Sequence, residues 1–313
     1  MRSLKNNFQL FFKGILMGAA DVVPGVSGGT IAFITGIYVE LVATIKGFNL
    51  DALRVLKTQG ITVAWSHLNG NFITILLAGI VSSVVSLAQV MQYLLVAQPL
   101  PLWSFFSGLI IGSVLFLLRQ TPAKNVTEKI LFIIGIAIAY SISIAPAIVL
   151  EGTILTMFFA GSIALCAMIL PGISGSFILV LLGLYPVFIS AIADLNIAIL
   201  CAFALGGVSG LMMFSRLLSW LLDHYQSAII ALMCGFLVGS LNIIWPWKQT
   251  IESQLSNTGK LIVTQTENLL PAQFAEINGQ DPQLILCLMM LLVGFVVALG
   301  LEYMGKPTPD VRS

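Results

Sequence analysis

Pro24-Gly25-Val26-Ser27-Gly28-Gly29-Thr30-Ile31-Ala32-Phe33-Ile34-Thr35-Gly36-Ile37-Tyr38 recurs as Pro171-Gly172-Ile173-Ser174-Gly175-Ser176-Phe177-Ile178-Leu179-Val180-Leu181-Leu182-Gly183-Leu184-Tyr185, with seven of fifteen positions identical at an offset of 147. Further along, Gly79, Val81, Ser82, Leu94, Leu95, Gly108, Gly112 and Ser113 match Gly206, Val208, Ser209, Leu221, Leu222, Gly235, Gly239 and Ser240 at an offset of 127. Two copies of one unit follow. The fall in offset from 147 to 127 gives copy one 20 extra residues, placed around 49–71.

In both copies proline and glycine interrupt an apolar run: proline removes a helix donor and clashes with the preceding turn, and glycine ends the helix. The surrounding chain explains where such a break can sit. Of 313 residues only 27 are Asp, Glu, Lys or Arg, 58% are hydrophobic and the mean hydropathy is +1.02. Soluble domains carry about 25% charged residues, so a water-facing surface cannot be built from this composition. Apolar stretches of the ~20-residue length that crosses a bilayer recur at 71–97, 102–118, 130–150, 197–221, 227–247 and 284–304. The expected class is an all-α polytopic membrane protein with about six full transmembrane helices. A net charge of +1 excludes a nucleic-acid partner. Cys166, Cys201, Cys234 and Cys287 lie in apolar stretches without metal-ligand spacing, so neither a disulfide framework nor a metal site is expected. The basic start with its short apolar core, 14–20, is read as part of the mature protein rather than a signal peptide. Trp65, Trp103, Trp220, Trp245 and Trp247 fall near segment ends, as interface anchors do.

The broken segments, 14–45 and 155–192, either cross the membrane or turn back as re-entrant hairpins. Positive charge decides between the two. With both re-entrant, one side holds Arg2, Lys5, Lys13, Lys46, Arg54, Lys57, Arg119, Lys124, Lys129, Arg216, Lys306 and Arg312, and the other only Lys248 and Lys260. Three crossings then separate the copies, so the second is upside down. The expected architecture is an inverted-repeat transporter with two re-entrant helical hairpins and both termini cytoplasmic. It comprises repeat one at 13–119, a linking helix at 128–150, inverted repeat two at 160–247, an external loop at 248–283 and a last transmembrane helix at 284–304, all in a single transmembrane domain. Glu40 marks the cytoplasmic end of the first hairpin.

Non-helical backbone at membrane depth is tolerated only where protein or a polar cavity surrounds it, so the two breaks are expected to meet. Ser27 and Ser174 are placed to cap the returning half-helices, whose free N–H groups and dipoles favour an anion. Gly25, Gly28, Gly29, Gly172 and Gly175 allow a bulky anion to approach the backbone, and Thr30 and Ser176 add hydroxyl donors. Such a site takes phosphate or carboxylate. The competing reading is that the glycines serve close helix packing. Charged side chains at membrane depth are candidates too. Asp21 has no acidic counterpart in copy two, where Met168 stands; it either couples transport to a cation, a proton first, or caps the break. Arg216 either reaches an anionic headgroup or snorkels to the interface. Catalysis is not expected. Gly25-Val26-Ser27-Gly28-Gly29 has the form of a nucleophile elbow, but His67 and His224 are the only histidines and neither belongs at a mid-membrane serine.

The run Gly18-Ala19-Ala20-Asp21-Val22-Val23-Pro24-Gly25-Val26-Ser27-Gly28-Gly29-Thr30, with Pro171-Gly172-Ile173-Ser174-Gly175-Ser176, resembles the bacterial polyprenyl-phosphate transporter family over nearly the whole chain. That resemblance implies a flippase of the cytoplasmic (inner) membrane that returns undecaprenyl phosphate, the lipid carrier of cell-wall synthesis, from the outer to the inner leaflet. It implies phosphate recognition at the two Ser-Gly breaks and a tail that stays in membrane lipid; the coupling cation, H+ first, rests on Asp21 rather than on the resemblance, and no cofactor is expected. An ion-coupled transporter of a small soluble anion has the same fold with a closed aqueous cavity, whereas a channel or structural membrane partner needs no paired anion-binding ends.

Overall fold

A computed structural model describes residues 4–21, 27–120, 125–148, 150–255 and 261–305. Its elements, in chain order, are α1 (Leu4–Asp21), α2 (Gly28–Ile34), α3 (Tyr38–Gly47), α4 (Leu50–Gln59), α5 (Ile61–His67), α6 (Gly70–Ala97), α7 (Pro99–Gln120), α8 (Val126–Ile144), α9 (Ile154–Ile169), α10 (Gly175–Leu181), α11 (Tyr185–Ala193), α12 (Ile197–Ser240), a hairpin of β1 (Lys248–Leu255) and β2 (Leu261–Asn268), α13 (Pro271–Asn278) and α14 (Leu284–Gly305). This is a polytopic helical membrane protein. α6, α7, α8, α12 and α14 are long and apolar enough to span a bilayer. With 44 residues, α12 runs roughly 66 Å, twice the hydrocarbon thickness. Tyr225, at φ −134° and ψ 39°, breaks its helical geometry and divides it into two spans, as the separate stretches 197–221 and 227–247 anticipate.

Two helix ends differ from expectation, and proline accounts for both. The helix expected over 130–150 stops at Ile144, because Pro146 drives Ala145 into extended backbone (φ −64°, ψ 133°). The span expected to reach 247 stops at Ser240, ahead of Trp245-Pro246-Trp247. The stretch 248–283, expected simply as a loop, carries an antiparallel hairpin in which Lys248 faces Asn268, followed by α13. Asn268 ties the hairpin down by donating to the backbone carbonyl (2.9 Å) and side-chain oxygen (2.7 Å) of Asn242. Leu100, Trp247, Leu269, Phe274 and Cys287 form a small apolar core beneath it.

The long helices pack as pairs through facing glycines, as expected in lipid, where close backbone contact replaces the hydrophobic drive. On α1 and α6, Gly14 meets the Leu76 carbonyl and Gly79 the Phe11 carbonyl; on α9 and α12, Gly161 meets that of Phe203 and Gly206 that of Phe158. α7 and α14 join through Gly108 and Gly294, and α8 and α12 through Gly135 and Gly235. Gly161 and Gly206 are the 147- and 127-offset partners of Gly14 and Gly79, and Gly235 is the 127-offset partner of Gly108. The contacts of the first series therefore reappear in the second, with α8 and α14 each packed on the other series.

Side-chain contacts sort the loops into two ends. One gathers Lys46, whose ammonium donates to Ser219 (3.1 Å), and Glu40, which accepts from Asn69 (2.8 Å). The other gathers Ser143, bonded to Asn242 (2.7 Å), together with the hairpin, α13 and the start of α7.

Candidate functional site

Each broken segment has the same local plan: a long helix, an interruption, a seven-residue half-helix, a tight turn and another short helix. α2 ends with the Ile37 amide donating back to the Ala32 carbonyl (3.0 Å), and α10 with Leu184 donating to Leu179 (2.9 Å). Gly36 and Gly183, at φ +74° and +67°, make those turns possible. α10 and α11 meet at 115°.

The two interruptions touch. Ser27 Oγ donates to the Met168 carbonyl at the end of α9 (2.7 Å), and the Gly172 amide donates to Thr30 Oγ1 (2.9 Å). Gly29 lies so close to break two that a Cβ there would stand 2.5 Å from the Met168 carbonyl oxygen and 2.6 Å from that of Ile169. Ser27 is 1% exposed and Thr30 0%, so this junction is interior.

At break one the donors of α2 are already satisfied. Ser27, extended at φ −124° and ψ 139°, caps the helix by accepting from the Gly29 amide (3.1 Å), and its carbonyl accepts from Thr30 (2.9 Å). Asp21 Oδ1 accepts from the Gly28 amide at 2.6 Å, so a carboxylate occupies the position an anionic ligand would take. Break two is different. Ser174 makes no cap; its hydroxyl pairs with that of Ser176 (2.8 Å). The amides of Gly175, Ser176 and Phe177 find no acceptor among the described residues. Gly172, at φ +85°, makes the turn that precedes them.

The structure thus brings together Asp21, Ser27, Gly28, Gly29, Thr30, Gly172, Ser174, Gly175 and Ser176. Gly25 lies outside the described residues. The glycines face protein: a Cβ on Gly28 would meet the Asp21 carboxylate at 2.6 Å, on Gly175 the Ala164 carbonyl at 2.7 Å, and on Gly172 the Phe236 carbonyl at 2.9 Å. Arg216 is exposed, off the α12 face that buries Ser215, Leu218 and Ser219, and takes no part in the junction. His67 and His224 are exposed as well. Two participants were not singled out from sequence. The Met168 carbonyl carries no side-chain signal, and Lys13, counted only as a topogenic charge, donates to the Thr35 carbonyl at the far end of α2 (2.7 Å).

A model of the undecaprenyl phosphate translocase-like family matches residues 17–262. The polyprenyl-phosphate transporter of Vibrio cholerae is 43% identical over 297 residues, covering 95% of this chain and 96% of that protein. The polyprenyl-phosphate transporter of Staphylococcus aureus is 35% identical over 252 residues, covering 75% of this chain and 84% of that protein. No solved structure matches the chain.

Proposed function

We propose that this chain, which belongs to the undecaprenyl phosphate translocase-like family, moves undecaprenyl phosphate from the outer to the inner leaflet of the bacterial cytoplasmic membrane, returning the lipid carrier for reuse. The observation that carries this reading is the interior junction of two helix breaks, one with its donors filled by Asp21 and Ser27 and the other with no acceptor for its first amides among the described residues. A phosphate head has the charge and the acceptor oxygens to fill the open turn of α10, with the Ser174 and Ser176 hydroxyls beside it.

Asp21 gives the site its coupling. An ionised carboxylate on the Gly28 amide repels a phosphate arriving at the adjoining break two; a protonated one repels it less. Phosphate binding and Asp21 protonation therefore favour each other, and the linkage is reciprocal. Proton loading on the more acidic outer side and release inside drives the head inward while the prenyl tail stays in lipid through a groove open to the bilayer.

The architecture that serves this cycle is a pair of inverted repeats whose broken segments are re-entrant, with both termini cytoplasmic. Support comes from the 12-to-2 split of Lys and Arg and from the recurrence of the Gly14–Gly79 contact as Gly161–Gly206. On this reading the helices at 128–150 and 284–304 are not merely connecting and terminal but the closing helix of each repeat, exchanged between them. The cycle needs no covalent chemistry and no cofactor.

The deciding experiment is a leaflet-resolved assay of undecaprenyl phosphate in liposomes holding purified protein. Inward movement that rises with an acidic exterior, and that inorganic phosphate does not compete away, is the expected result. Transport of inorganic phosphate without lipid movement would replace the proposal with a soluble-anion transporter.

A further inference from the structure

We infer that Lys13 is a positioning residue for the break-to-break junction: from α1 it holds the carbonyl end of half-helix α2 while Asp21 holds the amide end, which fixes α2 to α1 and keeps Ser27 and Thr30 on the second break. Seven residues are too few for a helix to persist alone in water, and α2 must draw its stability from its surroundings. All seven of its residues are buried. The Lys13 ammonium donates to the Thr35 carbonyl at 2.7 Å, and Asp21 Oδ1 accepts from the Gly28 amide at 2.6 Å. Each charge has the sign that the adjoining helix end favours.

The spacing suits the task. Lys13 and Asp21 stand eight positions apart, a rise of about 12 Å, and the seven residues of α2 rise about 10.5 Å. One face of α1 therefore spans both ends of the half-helix. Copy two has neither charge: at the 147 offset Lys13 becomes Ala160 and Asp21 becomes Met168. There the end of α10 is tied by neutral backbone, the Ile148 amide donating to Leu181 (2.6 Å) and the Leu150 amide to Leu182 (3.3 Å). Its first amides have no acceptor among the described residues. The clamp thus belongs to break one alone, and it makes α2 the fixed wall against which break two works.

The test compares wild type with K13M, K13Q and K13R, each purified in lipid. Hydrogen exchange is read on α2 (28–34) and α10 (175–181), beside leaflet-resolved transport. Loss of the charge in K13M should speed exchange in α2 at least tenfold with α10 within twofold of wild type. K13R, which restores a charged donor, should return α2 to wild-type protection, with K13Q between them. The transport arm rests on the lipid-phosphate reading above: the maximal rate of K13M should fall about tenfold with the half-saturating lipid concentration little changed. Unchanged α2 exchange in K13M, equal acceleration of α2 and α10, or failure of K13R to restore protection would each overturn the inference. If wild type moved no lipid phosphate, the transport reading would fall while the exchange comparison still decided the role of Lys13.

Discussion

Break one and break two share Pro-Gly-x-Ser-Gly but use it differently. In break one the serine caps its half-helix and reaches across to the other break, and an acid fills the remaining donor. In break two the serine turns to its neighbour Ser176, and the first-turn amides have no acceptor among the described residues. The shared serine is extended in both breaks, at φ −124° and ψ 139° for Ser27 and φ −101° and ψ 133° for Ser174, and the residues around it decide whether the first amides of the half-helix are filled. One half-helix has its first amides filled from within the protein; on the proposed function, the other takes the phosphate.

The sharpest way to break that contrast is at the contact itself. Gly29→Ala places a Cβ 2.5 Å from backbone that cannot rotate away, whereas the nearest atoms to a Cβ on Gly28 belong to the Asp21 side chain, which can swing. Gly29→Ala should cut transport about 100-fold, equivalent to ~2.7 kcal/mol, and destabilise by about 1–3 kcal/mol through overpacking. Gly28→Ala should lose far less stability. Equal losses in thermal denaturation would mean that the two breaks are not in rigid contact.

The serines offer a double dissociation. Ser27→Ala removes a cap and leaves the Met168 carbonyl without its donor, costing roughly 1–3 kcal/mol of stability. Ser174→Ala removes no cap, and its stability should change by less than about 1 kcal/mol, yet its affinity for lipid phosphate should fall at least several-fold. Calorimetry beside lipid binding checks both. A Ser174→Ala protein that binds like wild type would remove break two from the site.

Asp21→Asn keeps an acceptor on the Gly28 amide but cannot ionise. It should bind lipid phosphate and transport at a rate independent of the pH gradient, tested by imposing acidic and neutral exteriors on the same liposomes. Retained gradient dependence would reduce Asp21 to a cap, leaving break one without a coupling role.

The least disruptive probe concerns orientation. Single cysteines at positions 57 and 270 should leave transport almost unaltered, with 270 labelled from outside intact cells and 57 only after permeabilisation. Reversed labelling would invert the membrane orientation, and labelling of both from outside would remove the inverted relation between the breaks.

Much of this organisation is legible in the chain alone. Apolar stretches of spanning length, proline stops and glycine turns are local properties, so the helical membrane class, both breaks and the division of 197–247 into two spans follow from composition and spacing. The duplicated Gly79/Gly206 and Gly108/Gly235 matches, legible in the sequence only as marks of a repeat, are helix-contact glycines in the fold. Tertiary structure supplies what depends on partners distant in sequence. Ser27 meets a carbonyl 141 residues away and Gly172 a hydroxyl 142 residues away, and a backbone carbonyl has no sequence signature at all. The packing of α8 on α12 and of α14 on α7 likewise joins segments distant in sequence. Lys13 shows the limit most plainly: a lysine in an apolar helix reads the same whether it reaches toward water or closes the end of a neighbouring helix, because only the position of that neighbour distinguishes the two.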